Sequence, residues 1–196
     1  VREADPDVFS FLKRPALIVL AAMLAGCAGG PRYFLAERDS FDPGAAVAVL
    51  PPVNYSRNQK AQDLVVDDVV LEILRLGRFR AVDPGEVEKV VLAKRIRLTD
   101  RMPPETLSEI AGLLHARYIL TGSINQFDYV TVRNETFPVI SLNLRMIDAG
   151  KGKVVWAATC TRRGDDSETV FGLGKVKTLE RMCGIVTREM IETLKE

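Results

Sequence analysis

Residues 45–50 form an unbroken apolar run, fenced by Gly44 on one side and Pro51 and Pro52 on the other. A continuous run of that length predicts a strand buried on both faces, in the middle of a sheet. A helix is expected over 60–76, where Val66, Val69, Val70, Ile73 and Leu74 form an apolar stripe. Gly77 suits its C-terminal cap, and a short strand over 79–82 follows. Asp83-Pro84-Gly85-Glu86 starts a helix: Asp83 can cap free N–H groups, Pro84 fits the first turn, and Glu86 completes a capping box. That helix carries Val87, Val90 and Val91 and fades near Arg97. Pro103-Pro104 opens another, with Leu107, Ile110, Ala111 and Leu114 on one face. Beyond it the period drops to two. A strand over 118–124 and, past a loop, one over 139–147 lead to a turn at 148–153 and a return strand over 154–160. On the second strand Ile140, Leu142, Leu144 and Met146 alternate with Ser141, Asn143 and Arg145, so one face is covered and the other is open. A charged loop over 162–167 precedes a last helix over about 173–194, with Leu179, Met182, Cys183, Val186 and Met190 aligned. The pattern predicts a mixed α/β fold with a largely antiparallel sheet covered by helices on one side.

The amino-terminal region has a different grammar. Lys13 and Arg14 precede an apolar run over 16–24, which is too short to cross ~30 Å of hydrocarbon as a helix. A basic flank, a short apolar core and small residues describe an export signal. Leu24-Ala25-Gly26-Cys27 resembles the lipobox of bacterial lipoproteins. That resemblance implies cleavage between Gly26 and Cys27 and diacylglycerol on the Cys27 thiol. Ala28, in place of the aspartate that retains such proteins at the inner membrane, implies the periplasmic side of the outer membrane. The expected division is a signal peptide over 1–26, a tether over 27–44 and one α/β domain over 45–196. Such a tether, fully extended, reaches at most ~55 Å.

Twenty-seven cationic and 26 acidic residues leave a formal charge of +1, with no electrostatic footprint for nucleic acid. With Cys27 committed to lipid, Cys160 and Cys183 remain. In an oxidising compartment a disulfide between them would close a loop of about 22 residues and add ~3 kcal/mol. Two separately buried thiols are the alternative.

No reaction centre emerges. His115, the sole histidine, has no metal-ligating or catalytic partner at a useful spacing, and suits the carbonyls at a helix end. Asp67-Asp68 and Asp165-Asp166 are paired in sequence only, the first on diverging helix positions and the second in a charged loop. The stretch over 172–178 lacks the glycine spacing and hydroxyl of a phosphate loop. Trp156 reads as core. A non-enzyme is expected, with no metal, no small-molecule substrate and no cofactor beyond the covalent lipid.

Several stretches together resemble a bacterial envelope superfamily: Val47-Ala-Val-Leu-Pro-Pro-Val-Asn54, Leu76-Gly-Arg-Phe-Arg-Ala-Val82, Ala116-Arg-Tyr-Ile-Leu-Thr-Gly122 and the strand, turn and strand over 142–156. Its members include CsgG, LpoB-type lipoprotein activators of penicillin-binding proteins, and the amino-terminal domain of TolB. The resemblance implies an α/β domain that works by docking other envelope proteins. His115 departs from it, standing where a helix-ending glycine is expected. Candidate contact residues are Asn54, Tyr55, Phe137, Arg162 and Arg163, from three polar loops. The rival expectation is a CsgG-like oligomeric secretion or assembly component. Residues 127–146 could supply one membrane hairpin, but the charged, non-alternating stretch over 161–177 does not suit a second, which leaves a ring without a barrel. Homo-oligomerisation is left open by both.

Overall fold

A computed structural model describes residues 30–36, 41–99, 101–167 and 174–195. The signal segment, Gly26 and Cys27 lie outside the described residues. In chain order the elements are β1 (Arg32–Leu35), β2 (Ala46–Val49), β3 (Val53–Asn54), α1 (Ala61–Leu76), β4 (Arg80–Ala81), α2 (Pro84–Ala93), α3 (Pro104–Leu113), β5 (Tyr118–Val132), β6 (Glu135–Asp148), β7 (Lys153–Arg163) and α4 (Leu179–Glu192), closed by a 3-10 turn, Thr193–Lys195. Among the described residues the strands form one sheet in the order β1-β7-β6-β5-β2-β4, with β3 beside β5. β2 runs parallel to β4 and β5, and the β5-β6-β7-β1 half is antiparallel.

The loop expected between the strands over 118–124 and 139–147 is instead a continuation of both. β5 and β6 form a long hairpin joined by Arg133 and Asn134, with φ values of 47° and 69°. Two successive positive φ values characterise the tight turns that match the twist of paired strands, and asparagine tolerates that conformation. Beyond Ile124 the register shifts by one residue at Asn125, which keeps Phe127 on the covered face.

Helices α1 and α4 lie against one face of the sheet. Val65, Val69 and Ile73 of α1, and Met182, Cys183, Val186 and Met190 of α4, pack with Leu142, Leu144 and Trp156. The α1 stripe is rotated from its expected position: Val65 is buried and Leu74 is 56% exposed. A second, smaller core lies on the opposite face at the parallel end, where Val87 of α2 and Leu107, Ile110 and Ala111 of α3 cover Ala46, Ala48, Ile119 and Ile147. The helical cover is therefore one-sided over the antiparallel arms, as the alternation predicts, and two-sided at β2. A strand apolar on both faces, as β2 is, needs both covers.

The expected domain boundary at residue 45 is corrected by β1 and Phe41. β1 pairs antiparallel with β7, placing Tyr33 beside Ala158 and Phe34 beside Ala157. Phe41 is buried against the rings of Phe79 and Tyr118, each with its centroid 5.9 Å away. The Arg78 guanidinium lies 5.2 Å from the Phe41 centroid and donates to the Leu194 carbonyl at 3.1 Å. Arg117 holds Asp42 at 2.9 Å and the fully buried Asp148 at 3.0 Å. The 27–44 stretch is thus not a tether throughout: only residues 28–31 stand between Cys27 and the sheet. Its polar composition hid a four-residue edge strand and one aromatic anchor.

Both helices of the smaller layer end on a residue in the left-handed region, Arg95 at φ 51° and His115 at φ 48°. His115 donates its N–H to the Gly112 carbonyl, and Ala116 reaches back to Ala111 at 2.9 Å. This is a helix-ending loop that favours glycine, because a Cβ is strained there. His115→Gly is expected to raise stability by about 1 kcal/mol, read as a higher denaturant midpoint at unchanged slope.

Candidate functional site

Strand parity defines a surface that no helix covers among the described residues. Residues 141, 143 and 145 of β6 stand opposite Thr161, Thr159 and Ala157 of β7, on the side away from α1 and α4. Ser123 of β5 joins them beside Asn143, and Phe34 of β1 beside Ala157. Hydrogen bonds order the polar residues into a ladder. Thr159 donates to the Asn143 amide oxygen at 2.7 Å, and the hydroxyls of Ser141 and Thr161 meet at 2.8 Å. Ser123 donates to the amide oxygen of Asn125 at 3.2 Å.

Where the uncovered face meets the α3 layer, the surface is concave. A cleft of about 250 Å³ is lined by Arg101, Ser123, Asn143, Arg145, Ala157 and Thr159, among others. A second, of about 190 Å³, shares Arg101 and Arg145 and continues to Met102, Leu107 and Ile147. Gly122 lines the first one, where β5 approaches β6 so closely that a Cβ would stand 1.9 Å from the Asn143 carbonyl oxygen. Among the described residues neither cleft is lined by a carboxylate. Guanidinium, amide and hydroxyl groups over an apolar floor suit recognition of a polar or acidic surface. They do not supply a nucleophile with a base beside it, and no metal-ligating cluster exists among the described residues.

The contact residues expected from sequence do not form one site. Asn54 and Tyr55 remain at the surface, with Tyr55 60% exposed. Asn54 has its side chain committed to its own loop, accepting from Ser56 N–H at 2.9 Å and donating to the Asn58 carbonyl at 2.7 Å. Phe137 is not an exposed docking aromatic. It is buried on β6 beneath Lys177 and Lys175, whose ammonium groups lie 4.3 and 5.6 Å from its ring centroid. Both lysines also bind Glu135, whose carboxyl is held below its usual range by Lys177 first and then Lys175. Arg162 is likewise internal: it faces the covered side and makes a two-pronged ion pair with Glu189 of α4, both bonds 2.9 Å. Arg163 is held by Asp165 within its own loop.

The two cysteines of the domain are buried free thiols, and the disulfide left open by the sequence is not formed. They occupy different polar surroundings. Cys160 Sγ lies 3.8 Å from Glu189 Oε2, while Cys183 faces α1 and donates to Asp68. Burial first, then the Glu189 charge, pushes the Cys160 thiol up to about 11. Cys183 is pushed higher, again mainly by burial. Asp68 is also raised, chiefly by burial, against the lowering effect of the Cys183 hydrogen bond, with Glu72 and Asp67 adding repulsion. A carboxyl raised on folding binds its proton more tightly in the native state. Its contribution to stability is therefore present in full at low pH and lost as pH rises through the folded value. Asp68→Asn, which cannot ionise, is expected to raise Tm at pH 7, and the gain should vanish in melts below that titration.

A family model described as peptidoglycan-synthase activator LpoB matches residues 18–160. No curated protein matches the chain. Among solved structures it is similar to a PelC dodecamer from Paraburkholderia phytofirmans, at 21% identity over 84% of this chain and 95% of that one, with a TM-score of 0.58. It is also similar to lipoprotein GNA1162 from Neisseria meningitidis, at 13% identity over 77% of this chain and 98% of that one, TM-score 0.56. The LpoB C-terminal domain from Salmonella enterica aligns at 14% identity over 63% of this chain and 86% of that one, TM-score 0.48. At these identities the likenesses to PelC and GNA1162 establish a shared fold.

Proposed function

The chain belongs to the LpoB family of peptidoglycan-synthase activators, and from that premise we propose that it is a lipid-anchored regulator that docks a synthase on the uncovered face of its sheet. The family makes it an envelope protein that regulates a synthase and is not itself an enzyme. The anchor rests on Leu24-Ala25-Gly26-Cys27, and Ala28 supports the periplasmic side of the outer membrane. Among the described residues no helix is long and apolar enough to cross a membrane. The observation that supports the docking surface is the concave wall centred on Arg145 and Asn143, lined by guanidinium, amide and hydroxyl groups and left without a helix among the described residues. Charge there would steer an acidic partner and set its register.

The test is affinity for the host's peptidoglycan synthases, measured one by one with the purified domain. Arg145→Glu is expected to weaken binding about tenfold, close to 1.4 kcal/mol. Asn143→Ala should weaken it less, with Tm close to that of the parent. Binding unchanged by both substitutions would place the docking surface elsewhere. A pull-down with lipidated protein beside Cys27→Ser tests the anchor separately.

An oligomeric secretion or assembly component is the second reading, supported by the fold shared with the PelC dodecamer. Sizing of the delipidated domain separates them: monomer or dimer for the docking reading, a large ring for the other.

A further inference from the structure

We infer that β1 is a membrane-apposed edge, with Tyr33 and Phe34 seated in the interfacial layer of a phospholipid surface beside the lipid anchor. This inference rests on the lipidation of Cys27 proposed above. Its first support is length. Five residue steps separate Cys27 from Arg32, where the sheet begins, and five steps reach at most ~18 Å. The lipid-bearing residue sits at headgroup depth, in a layer of roughly 5–7 Å outside the hydrocarbon. A domain of this size is roughly 40 Å across, so a link less than half that length keeps the β1 edge within ~18 Å of the anchor and makes it the part of the sheet nearest the headgroups.

The second support is what that surface presents. Tyr33 is 44% exposed and Phe34 is 54% exposed, directly after the exposed cation Arg32. Aromatic rings concentrate at membrane interfaces, and a neighbouring cation suits the phosphate layer. Parity decides between occupants. Tyr33 stands beside Ala158 and Phe34 beside Ala157, so their rings project to opposite sides of the strand. A protein partner packed on one face of the sheet would cover one ring. A planar lipid surface met edge-on takes both. β1 is also the last strand of the sheet, with no further strand beyond it among the described residues. In this orientation the sheet stands on its β1 edge, and the Arg145 cleft faces sideways, parallel to the membrane.

The experiment uses full-length lipidated protein carrying Phe34→Trp, with Tyr55→Trp as a reference on the far side of the sheet. After mass spectrometry of Cys27, each is reconstituted in phosphatidylethanolamine vesicles with a minority of phosphatidylglycerol, with and without brominated phospholipid. Trp156 is fully buried and gives the same background in both. The indole at position 34 should shift to the blue on reconstitution and be quenched at least about twofold more than the reference, as expected for an interfacial aromatic. A modified Cys27 with equal quenching at both positions would overturn the orientation and leave the anchor standing. An unmodified Cys27 would overturn both. A blue shift that grows with protein concentration and ignores brominated lipid would mean that a second copy covers β1, which also overturns it.

Discussion

Trp156→Ala is expected to destabilise the domain by about 3–5 kcal/mol, a large part of the 5–15 kcal/mol that holds an ordinary domain together. The indole is fully buried where β7 meets α4, and its N–H donates to the Thr193 hydroxyl at 2.8 Å. Thr193 in turn donates to the Met190 carbonyl at 2.7 Å, so one side chain ties the sheet to the end of the last helix. Alanine would leave a cavity in the larger core and unfasten that tie. For a chain of this size Tm should fall by about 10 °C. Trp156→Phe fills most of the space and loses chiefly the hydrogen bond, so its cost should be nearer 1–2 kcal/mol. Urea titrations of the two variants measure the difference, and a loss below about 1 kcal/mol for alanine would contradict this account of the core.

Glu189→Ala should cost about 3 kcal/mol, because it strands the guanidinium of Arg162 at 8% exposure. The pair is asymmetric. Glu189 keeps 29% of its side chain exposed against 10% for Arg162, so the carboxylate can turn to water when the arginine is removed. Arg162→Met is therefore expected to cost less than Glu189→Ala, and the double variant less than the sum of the two. A second readout comes from sulfur. With the Glu189 charge gone, one of the influences raising Cys160 is lost, and its reaction with a thiol reagent should begin at lower pH.

Much of this architecture was legible because the local chemistry was unambiguous. Asp83 caps α2 by accepting from Gly85 and Glu86, as its spacing predicts, and α3 starts at Pro104. The polar alternates Ser141, Asn143 and Arg145 already announced an uncovered face. Other features were hidden for identifiable reasons. β1 lies in a short, polar, glycine-flanked stretch whose strand character comes from pairing with β7 and not from its own pattern. The β5–β6 turn uses Arg133-Asn134 without a glycine, and the register shift at Asn125 broke the alternation that would have extended β5.

The site was harder to read, because single residues looked alike until tertiary contacts sorted them. Phe137 in a polar loop and Phe137 under two lysines have the same sequence neighbours. Arg162 and Arg163 are adjacent, yet strand parity sends one into an internal ion pair and the other outward. Arg101 and Arg145, 44 residues apart in sequence, meet in one cleft only through the packing of α3 against the sheet.

Holding Cys160 and Cys183 apart as neutral, shielded sulfhydryls frees maturation of the domain from any oxidase or isomerase. Batches produced in the cytosol and batches exported from the cell should differ in mass only at the amino terminus and give the same melting curve for the domain, with or without reductant. A single engineered surface cysteine could then be labelled cleanly, without first replacing the native pair.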